Sequence, residues 1–292
     1  MERHDMSLIV DKSDLPVLKP FRLRGAAYDE MYFVRWLASI PLIWVVAIAI
    51  ALPGLALAQS GSVNPNAYEA LWRWMPFLLT NGFLFNVVIS LLAMSIGTAL
   101  GVLLGLAQIS RSKIIRRVAW FLTQLFRNSP WLVLLFIVLL AVPFQIELFG
   151  QTIRIPAWMK AVLGLSLPVM ANISEIVRGA VLSVPSGQWE ASESLGFTRR
   201  QTLYEIVLPQ CVKRMIPPWM NWYAILTMAT PLCSLLGVEE IITLSRQAMS
   251  AENNQPELLV PFYGFALVCF FLYCYPIARF TIWLERRVSV KL

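Results

Sequence analysis

Side chains that commonly carry covalent or metal chemistry are scarce in this chain and poorly placed for it. The single histidine is His4, and all four aspartates (Asp5, Asp11, Asp14, Asp29) precede Met31. Residues 31–292 hold neither type, which excludes Ser-His-Asp hydrolysis, aspartyl-phosphate pumping and histidine metal sites from the body of the protein. No lysine follows a glycine, so there is no G-x-x-x-x-G-K-[ST] phosphate loop. The cysteines Cys211, Cys233, Cys269 and Cys274 form no C-x-x-C pair, and three fall in apolar runs. They read as reduced core thiols.

What remains is polar chemistry on apolar helices. Glu175 is the ionisable residue deepest in an apolar stretch, and it shares a face with Pro168, Asn172 and Gly179. An ionisable group there is a functional candidate; the competing reading is an ion pair with Arg178, three residues on. Tyr223, Thr227, Thr230 and Ser234 follow one another at intervals of 4, 3 and 4 and so share a second face. They bond either neighbouring helices or a passing solute. Asn86, Ser90, Ala93, Gly97, Gly101 and Gly105 make a third stripe, of small residues. It serves close helix packing or lines a solute path.

Those stripes need a membrane around them. Of 292 residues 58% are hydrophobic and 14% charged, and mean hydropathy is +0.65. A soluble domain carries about 25% charge, and a globule of this size could not bury so much apolar side chain. Six spans of roughly 20 residues are expected, near 36–58, 82–109, 131–146, 158–177, 216–236 and 259–284. Pro143 shortens the third, and Pro231 is expected to kink the fifth. Twenty lysines and arginines fall before, after or in alternate loops between these spans, against four in the others. Positive loops stay inside, so both termini and the loops near 110–127 and 178–214 are expected in the cytoplasm. Topology then accounts for the net charge of +7 without nucleic acid. Trp36, Trp131, Trp158 and Trp283 mark span ends. The first span closes Ala56-Leu57-Ala58-Gln59, like a signal-peptidase site, yet its charge lies behind 35 mixed residues, so a retained anchor is expected. The loop 59–80 is expected outside, lying along the membrane surface.

The most informative segment is the inner loop 184–209. Gln188 to Leu195 favours a short helix, with Gly196 as its C-terminal cap. Thr198-Arg-Arg-Gln201 is a capping box that starts a second helix, and Pro209 is expected to bend that helix toward the membrane. A short rigid helix held clear of the bilayer suits a docking lever; two helical turns in a generic loop would look similar.

The loop resembles the EAA loop of bacterial ABC importer permeases: E-A-A, three residues, G, nine residues, I-x-L-P. Here the order is Glu190-Ala191-Ser192, Gly196 and Ile206-Val207-Leu208-Pro209, with Ser192 the one departure. Other segments are similar to the polar amino acid branch (His/Glu/Gln/Arg/opine type): Arg127-Asn-Ser-Pro-Trp-Leu132 to R-G-T-P-L-L, Asn172 to Gly179 to A-Y-V-A-E-I-V-R-G, Val184 to Ala191 to V-P-K-G-Q-W-E-A, and Leu284-Glu-Arg-Arg287 to L-E-R-R. Thr227-Met-Ala-Thr-Pro-Leu232 departs from L-K-D-T-S-L, so the substrate path is open to alteration.

The resemblance implies an all-α membrane protein with the type I ABC importer transmembrane fold, a five-helix core plus one N-terminal helix. The organisation would be a cytoplasmic arm (1–35), an extra helix and outer loop (36–78), a permease domain (79–287) with coupling loop 184–209, and a cytoplasmic tail (288–292). It implies a non-catalytic, multi-pass subunit of the bacterial cytoplasmic (inner) membrane. The solute would be a polar amino acid or derivative; a compatible solute, an organosulfur compound, a peptide, or a stand-alone secondary transporter are the alternatives. Implied partners are cytoplasmic ABC ATPases binding ATP and Mg, a second permease (homologous or identical), an extracytoplasmic solute-binding protein and membrane lipid. No cofactor, metal or nucleic acid is expected on this chain. Glu190, Ala191, Ser192, Leu195 and Gly196 would couple to the ATPase, and Asn172, Glu175, Tyr223, Thr227 and Thr230 would line the substrate pathway.

Overall fold

The computed structural model describes residues 65–148 and 151–288. The arm 1–35, the expected first span and residues 289–292 of the tail lie outside the described residues. Among the described residues three helices are long and apolar enough to cross a bilayer: Ala67–Gln108, Ala157–Leu182 and Pro256–Arg287. Two bent pairs, Lys113–Arg127 with Trp131–Ala141 and Arg199–Leu236 with Ile241–Ala251, bring the possible crossings among the described residues to five.

Helix α1 (Pro65–Phe77) runs through a π-helical turn, Leu78–Phe83, straight into α2 (Leu84–Gln108). Residues 65–80 therefore do not form the separate surface loop expected of them but lead helically into the second span. Pro76 lacks an N–H to continue the ladder; the wider turn follows it, and the Thr80 hydroxyl donates back to the Pro76 carbonyl at 2.8 Å.

The central element is α5 (Ala157–Leu182), 72% of whose most apolar window is buried. Its principal partner is α2, and the small-residue stripe is the reason. A methyl group on Gly97, Gly101 or Gly105 would fall 2.5, 2.7 and 2.7 Å from Val169, Ile173 and Val177. Glycines every fourth residue on one helix thus receive β-branched residues every fourth residue on the other, letting the backbones close. The stripe packs helices; it does not face a cavity.

The expected third span, 131–146, is corrected. Helix α3 (Lys113–Arg127) turns through 106° into α4 (Trp131–Ala141). At 1.5 Å per residue, α4 is about 16 Å long, roughly half of what a crossing requires. Val142 is already extended and Pro143 cannot rejoin the helix. The chain continues as an antiparallel hairpin, β1 (Gln145–Leu148) and β2 (Gln151–Arg154), with Ile146 opposite Ile153.

After α5 come α6 (Ser186–Ser194), the short α7 (Arg199–Gln201), a π-helical stretch Thr202–Val207, and α8 (Leu208–Ala229). At Pro231 the α-helix gives way to a 3-10 helix, Thr230–Leu236, so the proline tightens the turn where a kink was expected. Gly237, at φ +76, closes the 3-10 helix, and after a bend of 51° comes α9 (Ile241–Ala251), which was not among the expected spans. Helix α10 (Leu259–Val288) packs chiefly on α8. The main core joins residues of α2, α4, α5 and α8, among them Ile89, Leu135, Leu165 and Leu226. All four cysteines are buried thiols, as expected.

Candidate functional site

The loop 184–209 folds as its residues dictate. Helix α6 ends in a Schellman turn: Gly196 N–H donates to the Glu193 carbonyl (3.0 Å) and Phe197 N–H to that of Ser192 (3.1 Å). This closure needs a left-handed residue, and Gly196 has φ +79. Thr198 opens the next helix with the expected capping box. Its hydroxyl accepts from Gln201 N–H, and its own N–H donates to Gln201 Oε1 at 2.9 Å. Pro209 cannot donate to the Glu205 carbonyl, and the π-helical turn lies immediately before it.

Glu190, Ala191, Leu195 and Gly196 are exposed, Leu195 to 76%. A bare leucine at a helix end is an apolar contact without a partner among the described residues. Ser192 is the exception among the expected coupling residues. It is 2% exposed, and its hydroxyl donates to the Gln188 carbonyl at 2.6 Å. It faces inward, so serine for alanine adds a hydroxyl that its own helix satisfies.

The loop is fastened to the bundle from below. Trp189 and Leu203 pack on the cluster of Ala180, Val181, Val184, Val207 and Cys211. Arg214 on α8 donates to the Ser183 carbonyl (2.8 Å) and hydroxyl (2.7 Å) at the end of α5. A push on α6 therefore reaches α5 and α8 through packed side chains.

The polar stripes are taken up mostly by local bonds along their own helices, and of these residues Tyr223 and Thr230 reach across to other helices. The Thr227 hydroxyl donates to the Tyr223 carbonyl (2.9 Å), and the Thr230 hydroxyl to the Thr227 carbonyl (2.7 Å). The Tyr223 hydroxyl meets those of Tyr273 (2.7 Å) and Ser90 (3.4 Å). Tyr223, Thr227 and Thr230 are buried, while Ser234, the fourth residue of the stripe, is half-buried. Asn172 is buried too and donates to the Pro168 carbonyl at 2.8 Å. Glu175 takes two hydrogen bonds on Oε2 from Arg178, at 2.7 and 3.2 Å, so the ion-pair reading of that residue holds geometrically.

Two buried charges escaped the sequence reading. Glu240 is fully buried, caps α9 by accepting from Thr243 N–H (2.9 Å), and accepts from Asn86 Nδ2 (3.0 Å). Asn86 also donates to the Thr230 hydroxyl and accepts from Ile241 N–H, so the network is closed. Lys160, counted as a loop charge, is also fully buried. It donates to the carbonyls of Val142 (2.7 Å) and Leu139 (3.3 Å) over the Phe144 ring. It serves the open carbonyls at the end of α4, where the helix dipole is negative. Asn221, two residues before Tyr223 on α8 and outside the stripe, is an exposed amide.

Residues 97–290 match the family described as binding-protein-dependent transport system inner membrane component. The chain belongs to this family. It is 29% identical to the L-cystine transport system permease protein TcyB of Bacillus subtilis (strain 168), over 73% of this chain and 87% of that one. It is also 29% identical to the glutamine transport system permease protein GlnP of Escherichia coli (strain K12), over 76% and 98%. Among solved structures, an amino acid ABC transporter crystallised with histidines superposes with a TM-score of 0.62 at 24% identity, covering 74% of this chain and 96% of that one. The fold of this inner membrane component is thus that of type I ABC importer permeases.

Proposed function

We propose that this inner membrane component is the permease subunit of an ATP-driven importer for a polar amino acid or amino-acid derivative. The observation that carries the reading is α6, a rigid projecting helix that presents Glu190, Ala191 and Leu195 and is tied at its base to α5 and α8. Its grip would be taken by a cytoplasmic ABC ATPase that binds ATP and Mg. Glu190 supplies a charged contact, Ala191 close approach and Gly196 the turn. The complex would hold two ATPases, a second permease and an extracytoplasmic solute-binding protein. Both termini and the loop 184–209 lie on the cytoplasmic side in this reading, as the lysine and arginine distribution favours. The names of the relatives, which include cystine and glutamine transport systems, support an amino-acid solute.

For the pathway, we assign Tyr223, Thr227 and Thr230 to holding the wall, since their polar groups are taken up within the bundle. Asn172 and the Glu175–Arg178 pair remain the wall's charged and amide groups on α5. Asn221 on α8 is added as a solute- or partner-facing amide, because an exposed amide in lipid is costly.

Sidedness and coupling have direct tests. With the native cysteines buried, a cysteine at Leu195 should react with an impermeant maleimide only from the cytoplasmic side, and the purified chain should bring its ATPase with it. Labelling from outside, or purification without an ATPase, overturns the reading. Calorimetry on the genetically adjacent solute-binding protein identifies the solute, and Glu175→Gln with unchanged transport and preference would remove Glu175 from the pathway.

A further inference from the structure

Between the α2–α3 turn, the end of α5 and the α6–α8 corner lies a cleft of about 1060 Å³. Among the described residues, five arginines line it, Arg111, Arg116, Arg178, Arg199 and Arg200, and no acidic residue does. Among the described residues only Arg178 is neutralised, by Glu175. Arg199 lies over the Trp189 ring at 5.5 Å, and Arg116 reaches the Ser110 carbonyl at 3.4 Å. Among the described residues no carboxylate pairs with Arg111, Arg116, Arg199 or Arg200. Cations gathered round one hollow repel one another, and an anion between them relieves that repulsion.

The donor type selects the anion. Guanidinium groups are planar forks that match phosphate oxygens two at a time. The walls select its source. Leu106, Leu182 and Leu203 line the same cleft, and α3 beside it exposes Ile114, Ile115, Val118 and Phe121. An amphipathic helix of that kind lies in the plane of a membrane interface. Free phosphate gains nothing from apolar walls, whereas a lipid can lay its acyl chains on them.

We propose that this cleft binds the phosphate group of an anionic phospholipid from the inner leaflet. Basic pockets between helices on the cytoplasmic side take such headgroups. The lipid would fill the space behind α6, touching Ser186, Trp189 and Arg199, and so brace the coupling helix against the bilayer. Placement in the inner leaflet rests on the sidedness proposed above.

The test uses the complete transporter, purified with its ATPase, in nanodiscs of phosphatidylcholine or of equal parts phosphatidylcholine and phosphatidylglycerol. Native mass spectrometry reads retained phosphatidylglycerol, and thermal unfolding reads its stabilising effect. Arg111→Gln/Arg200→Gln should weaken retention about thirty-fold and abolish the phosphatidylglycerol-dependent rise in Tm, with Tm in phosphatidylcholine unchanged. The charge-matched Arg154→Gln/Arg246→Gln, on the hairpin and on α9, should leave both readouts as in the wild type. Full retention by the first variant, or equal loss by the second, overturns the site. Inorganic phosphate reproducing the Tm rise in phosphatidylcholine overturns the lipid as source. Loss of the ATPase from the first variant with lipid retention intact assigns the arginines to the ATPase instead. A chain that purifies without ATPase yet keeps the lipid response sinks only the coupling reading; the converse sinks only this one.

Discussion

Single residues decide the shape of the loop 184–209. At Gly196 the backbone sits in the left-handed region with open space around it, so the cost of a side chain is conformational. Gly196→Ala should cost about 1 kcal/mol locally and lower solute-stimulated ATPase activity several-fold at unchanged membrane levels. Such a result locates the defect in coupling; a fall in chain abundance would locate it in folding. A second residue-scale contact lies at the other end of the molecule. Glu252, just beyond α9, accepts from the Trp74 indole N–H at 2.9 Å and pairs with Arg73. The indole bond first, and then the guanidinium, hold its carboxyl below the ordinary value of 4.5. A lowered carboxylate contributes stability above its unfolded pKa, and the contribution fades as pH falls through the folded one. The Tm gap between wild type and Glu252→Gln should therefore be present at neutral pH and close on acidification below 4.5. A gap independent of pH would refute the assignment.

Elements show what the sequence could and could not reveal. The second, fourth and sixth spans were legible because long apolar runs are unambiguous, and the glycine stripe because its period is that of a helix. The α2–α5 contact makes a quantitative comparison possible. Gly101→Ala puts a methyl 2.8 Å from the Met170 carbonyl, an overpacking worth about 1–3 kcal/mol. Gly179→Ala on α5 meets nothing within 4 Å and should stabilise by a few tenths to about 1 kcal/mol through helix propensity. Denaturation of the two variants in detergent should separate them in sign. The break between α3 and α4 and the existence of α9 were not legible. Pro130 and Pro143 announce boundaries but no angle, and α9 is short and mixed in character. Glu240 beside Glu239 reads as surface acid; only the fold brings Asn86, 154 positions away, to its carboxylate. Lys160 is hidden the same way, because its acceptors are backbone carbonyls and carry no residue signature. The helix, glycine turn and capping box of residues 188–201 were the most legible of all, yet burial of Ser192 was not, since a helix face cannot be oriented before its neighbours are known.

At the scale of the molecule, a core built on α2, α4, α5 and α8 holds a projecting helix at one end and the Arg73–Trp74–Glu252 contact beyond α9. The shortest apolar helix within it is α4, and its closure by Lys160 has a bearing on how the protein is made. Eleven apolar residues are a poor signal for a translocon that partitions segments by hydrophobic length. Alone, the segment should pass through or slip back. Once α5 emerges, the ammonium on its first turn can clasp the carbonyls of Leu139 and Val142, and the two helices can leave the channel as a pair. Nascent chains ending before residue 157 should then leave α4 uninserted in a glycosylation-mapping assay, and chains ending after 182 should insert it. Lys160→Met should impair that second step, whereas independent insertion of the shorter chain would show that α4 needs no escort into the bilayer.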